Sequence, residues 1–365
     1  MPEGHASSLW AAGVLVVILS LLFGLARRRF GTLPCIYGPR VSKSKTPNDP
    51  LADCMVVIPA RNEEATIGRA VRSLPRDTVI VVDDHSEDRT AKVARKAGAG
   101  VLPAPELPHL AIGKANACAA GALGLASRWV LFTDADTWFE PGFLNAAVGV
   151  AEANGLSLLS FYLDPEYGGW AERTLGPYAR ALAFSGLGLV NNPRALFTGQ
   201  CLLARVDSYR FIGGHSAVLK SLIEDLQLTK LAERHRLKFA TARAPGFGYA
   251  RLYDGYAGVR DGIQRQAFRF MMINRLTGVV VIGSALLAAL WLPALAWLVR
   301  DKQWIAAGSF ALVPSLLLWP WYPSWRSALL APLAVYWILP AMARGLIGAV
   351  LGRPAEWKGR KVRGL

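Results

Sequence analysis

The sequence is short of cysteine and of acidic residues, and each shortage narrows what the chain can be. Its four cysteines, Cys35, Cys54, Cys118 and Cys201, are scattered over 365 residues and form no CxxC pair. That spacing excludes a zinc ribbon and a disulfide framework, and it reads as buried thiols in a reducing compartment. Asp and Glu number 26 against 41 Lys and Arg, a net charge of +15. Such an excess suits nucleic acid or anionic lipid. The basic residues flank apolar runs, at Arg27 to Arg29, Arg40 to Lys45, Arg260 to Arg275 and Lys358 to Arg363. Near anionic lipid each is worth about 1 kcal/mol, so an anionic phospholipid surface is the expected partner and nucleic acid is not. Internal repeats and low-complexity tracts are also missing.

The leader Met1-Pro2-Glu3-Gly4-His5 lacks Lys and Arg, whereas Arg27-Arg28-Arg29 follows the first apolar run. A cleaved signal peptide would carry its charge in front. Because basic flanks stay cytoplasmic, residues 9–26 read as an anchor with its N-terminus outside and the next domain inside. A cleaved signal is the alternative.

What the chain does have is apolar length. Apolar residues make up 53% of it and the mean hydropathy is +0.28, too high for an ordinary soluble enzyme. Leu9 to Ala26 is uncharged, about the length that spans a hydrocarbon core of roughly 30 Å. The chain is again mostly apolar from Thr277 to Val350. Between these stretches the composition is globular. The expected organisation is a membrane anchor at 9–26, an α/β catalytic domain at 52–255 and an interfacial amphipathic helix at 256–275. A membrane region of two or three helices at 276–351 and a basic tail at 352–365 follow. Spans are expected near Thr277–Val299, Trp304–Trp321 and Leu329–Leu351. Three crossings would put the tail's positive charge outside, against the positive-inside rule. Either one segment, such as the Pro-rich middle one, is re-entrant or interfacial or the rule is broken, and a cytoplasmic tail is the expectation. The expected location is the plasma membrane, multi-pass, with the catalytic domain cytoplasmic.

In the globular stretch, Met55 to Pro59, Thr78 to Val82, Trp129 to Phe132, Leu156 to Tyr162 and Cys201 to Val206 are strand-like apolar runs. Helical patterns lie between them: one opens at Asn62 and runs through Leu74, and another is expected to be capped by Ser86. Continuous apolar strands alternating with helices argue for a mostly parallel sheet covered on both faces. Ligands bind beyond the carboxyl ends of such strands, and there the sequence places its acids. Asp83-Asp84 closes one strand and Asp134-Ala135-Asp136 another. Alternating carboxylates suit a hard cation such as Mg2+ or Mn2+ shared with phosphates. Either acidic cluster alone could be chance or a helix cap.

Glu224-Asp225 follows the Gly213-Gly214 turn at an expected helix start. A carboxylate there could serve as general base toward an acceptor oxygen, or merely favour the helix dipole. Lys114, in Gly113-Lys114-Ala115-Asn116, could meet a base, a phosphate or a sugar, or be a solvated lysine. Arg269, in Gln266-Ala267-Phe268-Arg269-Phe270, could clamp a departing diphosphate or snorkel from an interfacial helix. Trp170 to Val190 reads as an amphipathic helix on the acceptor side or as a plain covering helix.

Together these segments resemble glycosyltransferase family 2 enzymes of GT-A fold. The resemblance rests on Val57 to Glu64, Val81 to Ser86, Gly113 to Asn116, Phe132 to Asp136, Gly213-Gly214-His215, Glu224-Asp225 and Gln266-x-x-Arg269-Phe270. It implies inverting transfer of a sugar from a nucleoside diphosphate. By resemblance, Pro59, Ala60, Arg61, Glu63 and Asp84 hold the nucleobase and ribose. Lys114 and Asp134 also face the donor, and Asp134 and Asp136 hold Mg2+ or Mn2+. Asp225 or Glu224 is the base, and Gln266 and Arg269 complete the site. The ending Ala355 to Arg360, with the membrane layout and the Gly-Gly-His turn, is similar to lipid-modifying members that act on carotenoid or hopanoid lipids. Those members imply UDP-glucose or a related donor and a membrane lipid acceptor.

Three departures stand out. His85 replaces a common Gly, Phe270 replaces the usual Trp, and the position of Asp225 need not be acidic in carotenoid enzymes. A processive polysaccharide synthase and an inactive membrane scaffold or lipid-binding protein are the alternatives.

Overall fold

A computed structural model of the chain describes residues 3–37, 53–109, 111–190, 197–221, 223–273, 275–351, 355–357 and 360–362. The basic stretch Arg40 to Lys45 and much of the tail lie outside these. The chain forms two units. One is a sheet unit drawn from Leu33–Glu166, Arg194–Leu252 and Pro354–Leu365. The other, a helical unit, is drawn from Met1–Thr32, Tyr167–Pro193 and Tyr253–Arg353.

In the sheet unit the strands are β1 (Cys54–Ala60), β2 (Val79–Asp83), β3 (Gly100–Pro103), β4 (Trp129–Thr133), β5 (Thr137–Phe139), β6 (Leu158–Tyr162), β7 (Asp164–Pro165), β8 (Cys201–Arg205), β9 (Phe239–Arg243) and β10 (Gly248–Ala250). The main sheet runs β3-β2-β1-β4-β8-β6-β9. Its first four strands are parallel, β8 is antiparallel to both neighbours, and β6 pairs parallel with β9. The expected mostly parallel α/β sheet is therefore present. Val56, Val57 and Ile58 of β1 are fully buried, as a strand covered on both faces requires. A smaller sheet, β5-β10-β7, grows directly from the chain that leaves β4.

Two local expectations are corrected. The helix expected from Asn62 begins only at Ile67 and ends at Arg72, because the backbone of 62–64 is bonded instead to the loop after β2. Ser86 does not cap the next helix, which starts at Thr90. Its hydroxyl accepts the Asn62 N–H, and Asp88 accepts the Thr90 N–H at 2.8 Å.

Among the described residues of the helical unit, four helical stretches are long and apolar enough to cross a membrane: Ala6–Gly31, Arg275–Arg300, Trp304–Trp321 and Ala331–Gly348. The second is broken between the helices Arg275–Ala289 and Trp291–Arg300. Pro293 has no N–H to offer the Ala289 carbonyl four residues back. The Tyr336 hydroxyl donates to that carbonyl at 2.6 Å. Pro314 likewise leaves the Phe310 carbonyl, and Trp291 Nε1 donates to it at 3.1 Å. Both side chains satisfy backbone oxygens that hydrocarbon would leave bare.

Candidate active site

The carboxyl ends of β1 and β2 lie side by side, with Ala60 opposite Asp83. The loops that leave them are laced together. The Arg61 guanidinium donates to the carbonyls of Asp84 (2.7 Å) and His85 (3.1 Å). Asn62 Oδ1 accepts the Glu87 N–H at 2.9 Å, and the Glu63 N–H donates to Thr90 Oγ1 at 2.7 Å. Asn62 and His85 both have left-handed backbone, φ 53° and 56°. That conformation explains why Gly would suit position 85, and His is among the residues that tolerate it. Pro59 and Glu63 are half-buried, and Ala60 and Asp84 are buried. Asp83 Oδ1 is buried with no hydrogen-bond partner among the described residues, an acceptor that a ligand N–H or O–H would satisfy.

A second cluster forms around Lys114, in the first turn of the helix Gly113–Gly121. Lys114 Nζ lies 2.6 Å from Asp134 Oδ1 and 3.7 Å from Glu224 Oε1, and it donates to the Gly199 carbonyl at 2.7 Å. Burial opposes its charge, but the carboxylates of Asp134 and Glu224 outweigh burial and raise its pKa. Asp225 is fixed differently. Its Oδ2 accepts the Gly199 N–H at 3.1 Å and its Oδ1 the Leu226 N–H at 2.8 Å. Glu224 and Asp225 do open the helix Glu224–Arg234.

Gly199, which sequence patterns did not single out, is the close-packed centre of this cluster. A Cβ there would lie 3.0 Å from Glu224 Oε1, 3.3 Å from Lys114 Nζ and 3.5 Å from Asp225 Oδ2. The only cue was a Gly just ahead of a strand.

The Gly213-Gly214-His215 turn supports the same cluster. The Tyr209 hydroxyl accepts the His215 backbone N–H at 2.9 Å and lies 2.8 Å from His215 Nδ1. The hydroxyl thus meets both the backbone and the ring of His215 and fixes the imidazole's orientation. Burial, with Lys114 adding to it against the weaker pull of Asp225, lowers the His215 pKa to about 3. His215 is therefore neutral at physiological pH. Gly214 leaves room for this arrangement: a Cβ would fall within 2.3 Å of the Tyr209 ring.

Asp134-Ala135-Asp136 forms the turn between β4 and β5, with both acids half-buried and Ala135 buried. Thr137 Oγ1 donates to the Asp134 carbonyl at 2.7 Å, and the Arg251 N–H donates to the Asp136 carbonyl at 2.9 Å. Behind the turn, the Arg69 guanidinium lies 3.4 Å over the Trp138 ring and bonds Glu166. Among the described residues no three His, Cys, Asp or Glu side chains converge as a closed metal cage. Two carboxylates on one tight turn fit Mg2+ or Mn2+ of the open kind, in which phosphates and water complete the oxygen shell.

Ten of the twelve expected site residues thus belong to the sheet unit. Gln266 and Arg269 belong to the helical unit, on the helix Gly255–Ile273, with Gln266 exposed and Arg269 half-buried.

The profile of Glycosyl transferase family 2 matches residues 55–213. The chain is similar to 4,4'-diaponeurosporenoate glycosyltransferase of Staphylococcus aureus strain USA300, 26% identical over 266 residues and covering 69% of each chain. Among solved structures it is similar to glucosyl-3-phosphoglycerate synthase from Mycobacterium tuberculosis in complex with Mg2+ and UDP. That match has 23% identity and a TM-score of 0.41, and covers 65% of this chain and 86% of that one. A second structure of that synthase, with Mn2+, UDP-glucose and phosphoglyceric acid, is 25% identical with a TM-score of 0.37, covering 59% and 79%. The matching profile and the named relative make the chain a glycosyltransferase, with residues 55–213 similar to a Glycosyl transferase family 2 domain.

Proposed function

We propose that this glycosyltransferase is membrane-bound and inverting, and that it moves a hexose from a UDP-sugar, UDP-glucose foremost, to a carotenoid or other isoprenoid lipid. The observation that carries the reading is the Lys114 bridge, which joins the acidic turn at Asp134, the Gly199 carbonyl and Glu224. The four apolar helices and the carotenoid-lipid name of the relative support a lipid acceptor at the plasma membrane, with the sheet unit on the cytoplasmic side and an anionic phospholipid surface beside it.

Pro59, Ala60, Arg61, Glu63 and Asp84 hold the nucleoside, with Arg61 acting through the loop it braces. Asp134 and Asp136 would hold Mg2+ or Mn2+, which when bound would supply positive charge against the diphosphate. Lys114 adds a second fixed cation at the same edge, and Gln266 and Arg269 are assigned to the leaving diphosphate. The acceptor oxygen attacks the anomeric carbon as Asp225 takes its proton. The bond to the diphosphate breaks, UDP leaves, and the configuration inverts. Asp225 suits the base because two backbone N–H groups hold its rotamer, whereas Glu224 is engaged with Lys114.

The test is to incubate membranes containing the protein with a panel of labelled nucleotide sugars and extract the lipid. Lipid-borne label from UDP-glucose supports the reading. Label in an insoluble polymer, or no label from any sugar, overturns it.

A further inference from the structure

We infer that the buried hydroxyls of Thr229 and Ser160 are positioning residues of the transfer reaction. They hold a backbone strap, residues 197–200, against which the base Asp225 and the cation Lys114 are both seated. The inference rests on the assignment of Asp225 proposed above.

The strap runs into β8 but lies outside the sheet. Pairing of β8 with β4 ends at Thr133 opposite Cys201, and its pairing with β6 ends at Ser160 opposite Leu202. From Gln200 back to Phe197, the backbone partners are mainly side chains. The Thr133 hydroxyl donates to the Gln200 carbonyl at 2.9 Å. Gly199 is held from two sides, its N–H by Asp225 Oδ2 at 3.1 Å and its carbonyl by Lys114 Nζ at 2.7 Å. The Ser160 hydroxyl accepts the Thr198 N–H at 2.9 Å and donates to the Thr198 carbonyl at 3.2 Å. Thr229 Oγ1 accepts the Phe197 N–H at 3.0 Å and donates to the Asp225 carbonyl at 2.9 Å.

Burial alone would favour apolar side chains at both positions. Ser160 is 0% and Thr229 1% exposed, and buried Leu159, Phe161 and Leu228 flank them in sequence. A hydroxyl in such surroundings costs free energy unless it is bonded. The bonds of the Ser160 hydroxyl go to the strap, and those of Thr229 join the strap to the helix that carries the base. Thr229 and Asp225 are one turn apart on the helix Glu224–Arg234, hence on one face. That face grips the strap at two points, Phe197 and Gly199. Gly199 is then the shared reference for carboxylate and ammonium, so a shift of the strap displaces both. Displacements of about 1 Å cost roughly 10- to 100-fold in rate.

The test compares Thr229→Val, which keeps the shape and removes the hydroxyl, with Thr229→Ser, which returns it. Membranes containing the full chain receive labelled UDP-glucose, and the rate of lipid labelling is followed against its concentration. Thr229→Val is expected to lower the maximal rate about tenfold, with KM for UDP-glucose changed less than about twofold, and Thr229→Ser to recover most of the loss. Ser160→Ala is expected to act in the same direction. Val148→Ala truncates a buried core residue on the helix Phe143–Ala153, and is expected to lower Tm with the maximal rate changed less than about twofold. Amide exchange of the strap peptide, read by mass spectrometry on the purified full chain, gives a readout apart from activity. It is expected to be faster in Thr229→Val and unchanged in Val148→Ala. An unchanged rate or unchanged strap exchange in Thr229→Val, no recovery in Thr229→Ser, or an equal rate loss in Val148→Ala overturns the positioning role. Full turnover in Asp225→Asn overturns the base assignment instead. If wild type labels no lipid, the transfer reading fails, and the exchange comparison still decides whether the hydroxyls hold the strap.

Discussion

Lys114 Nζ and Asp134 Oδ1 are 2.6 Å apart, although one residue begins a helix and the other leaves the central strand β4. The pair ties the Asp134–Asp136 turn to the Glu-Asp helix start, since the same ammonium reaches Glu224 at 3.7 Å. Replacing Lys114 by Met leaves two carboxylates facing each other with no cation between them. Fixed cations at a departing oxyanion are worth roughly 100- to 1,000-fold in turnover. We expect kcat/KM for UDP-glucose to fall by about that much in Lys114→Met. A loss under threefold would remove Lys114 from the site.

Gly199→Ala tests the packing at the centre of the cluster. The added Cβ would meet side-chain ends, at 3.0 Å from Glu224 Oε1 and 3.3 Å from Lys114 Nζ, which can move without unfolding the chain. The expected result is a turnover loss of about tenfold, since small misplacements of reacting groups cost this much or more, with Tm changed by only a few degrees. Unaltered turnover would show that the contact at Gly199 does not matter to the reaction.

Asp225→Asn should abolish turnover while leaving UDP affinity within a few-fold, because a general base contributes to the chemical step and not to donor binding. Glu224→Gln should cost less in kcat. The reverse order would move the base to Glu224. Kinetics and UDP titrations on the two variants decide.

His215 carries a pH dependence whose sign is fixed. Its folded pKa, about 3, is below the ordinary value near 6.5, so between those values the unfolded chain binds more protons than the folded one. Stability therefore falls as pH drops through that window, by at most about 1.4 kcal/mol per pH unit. His215→Gln should flatten this part of the profile, as read from chemical denaturation at pH 7, 6 and 5. An identical slope in the variant would contradict the neutral, buried imidazole.

In the helical unit, Tyr336→Phe removes the donor to the Ala289 carbonyl that Pro293 leaves without a partner. An orphaned carbonyl, fully buried, costs about 1 to 3 kcal/mol, so this half-buried one is expected to cost about 1 kcal/mol, which thermal unfolding in detergent would register as a lowered Tm. No change would mean that water or another group takes over.

Much of this site was legible because its chemistry sits where strands end. Asp84, Asp134 and Asp136 each follow a β-branched or aromatic run, so one-dimensional patterning located both the strands and the acids. The small β3 (Gly100–Pro103) escaped because Gly and Pro bracket it, and β9 because its FATAR segment is too short and mixed to show a period. Arg61 bonds the carbonyls of Asp84 and His85, and only the spatial pairing of β1 with β2 reveals that bracing. Gly199 left almost no trace, since its importance is the absence of a side chain among residues distant in sequence. Tyr336 and Trp291 were invisible for a similar reason, because the carbonyls they serve belong to other helices.

The central claim is that a sugar held at the Asp134–Asp136 turn passes to a lipid. The most direct measurement compares wild type with Asp136→Ala in membranes supplied with labelled UDP-glucose, Mg2+ and acceptor lipid, counting label in the organic extract. The account predicts lipid-borne label from wild type and a loss of at least 100-fold in the variant, as expected for removing a metal ligand at a charged leaving group. Equal labelling by the two proteins would contradict it.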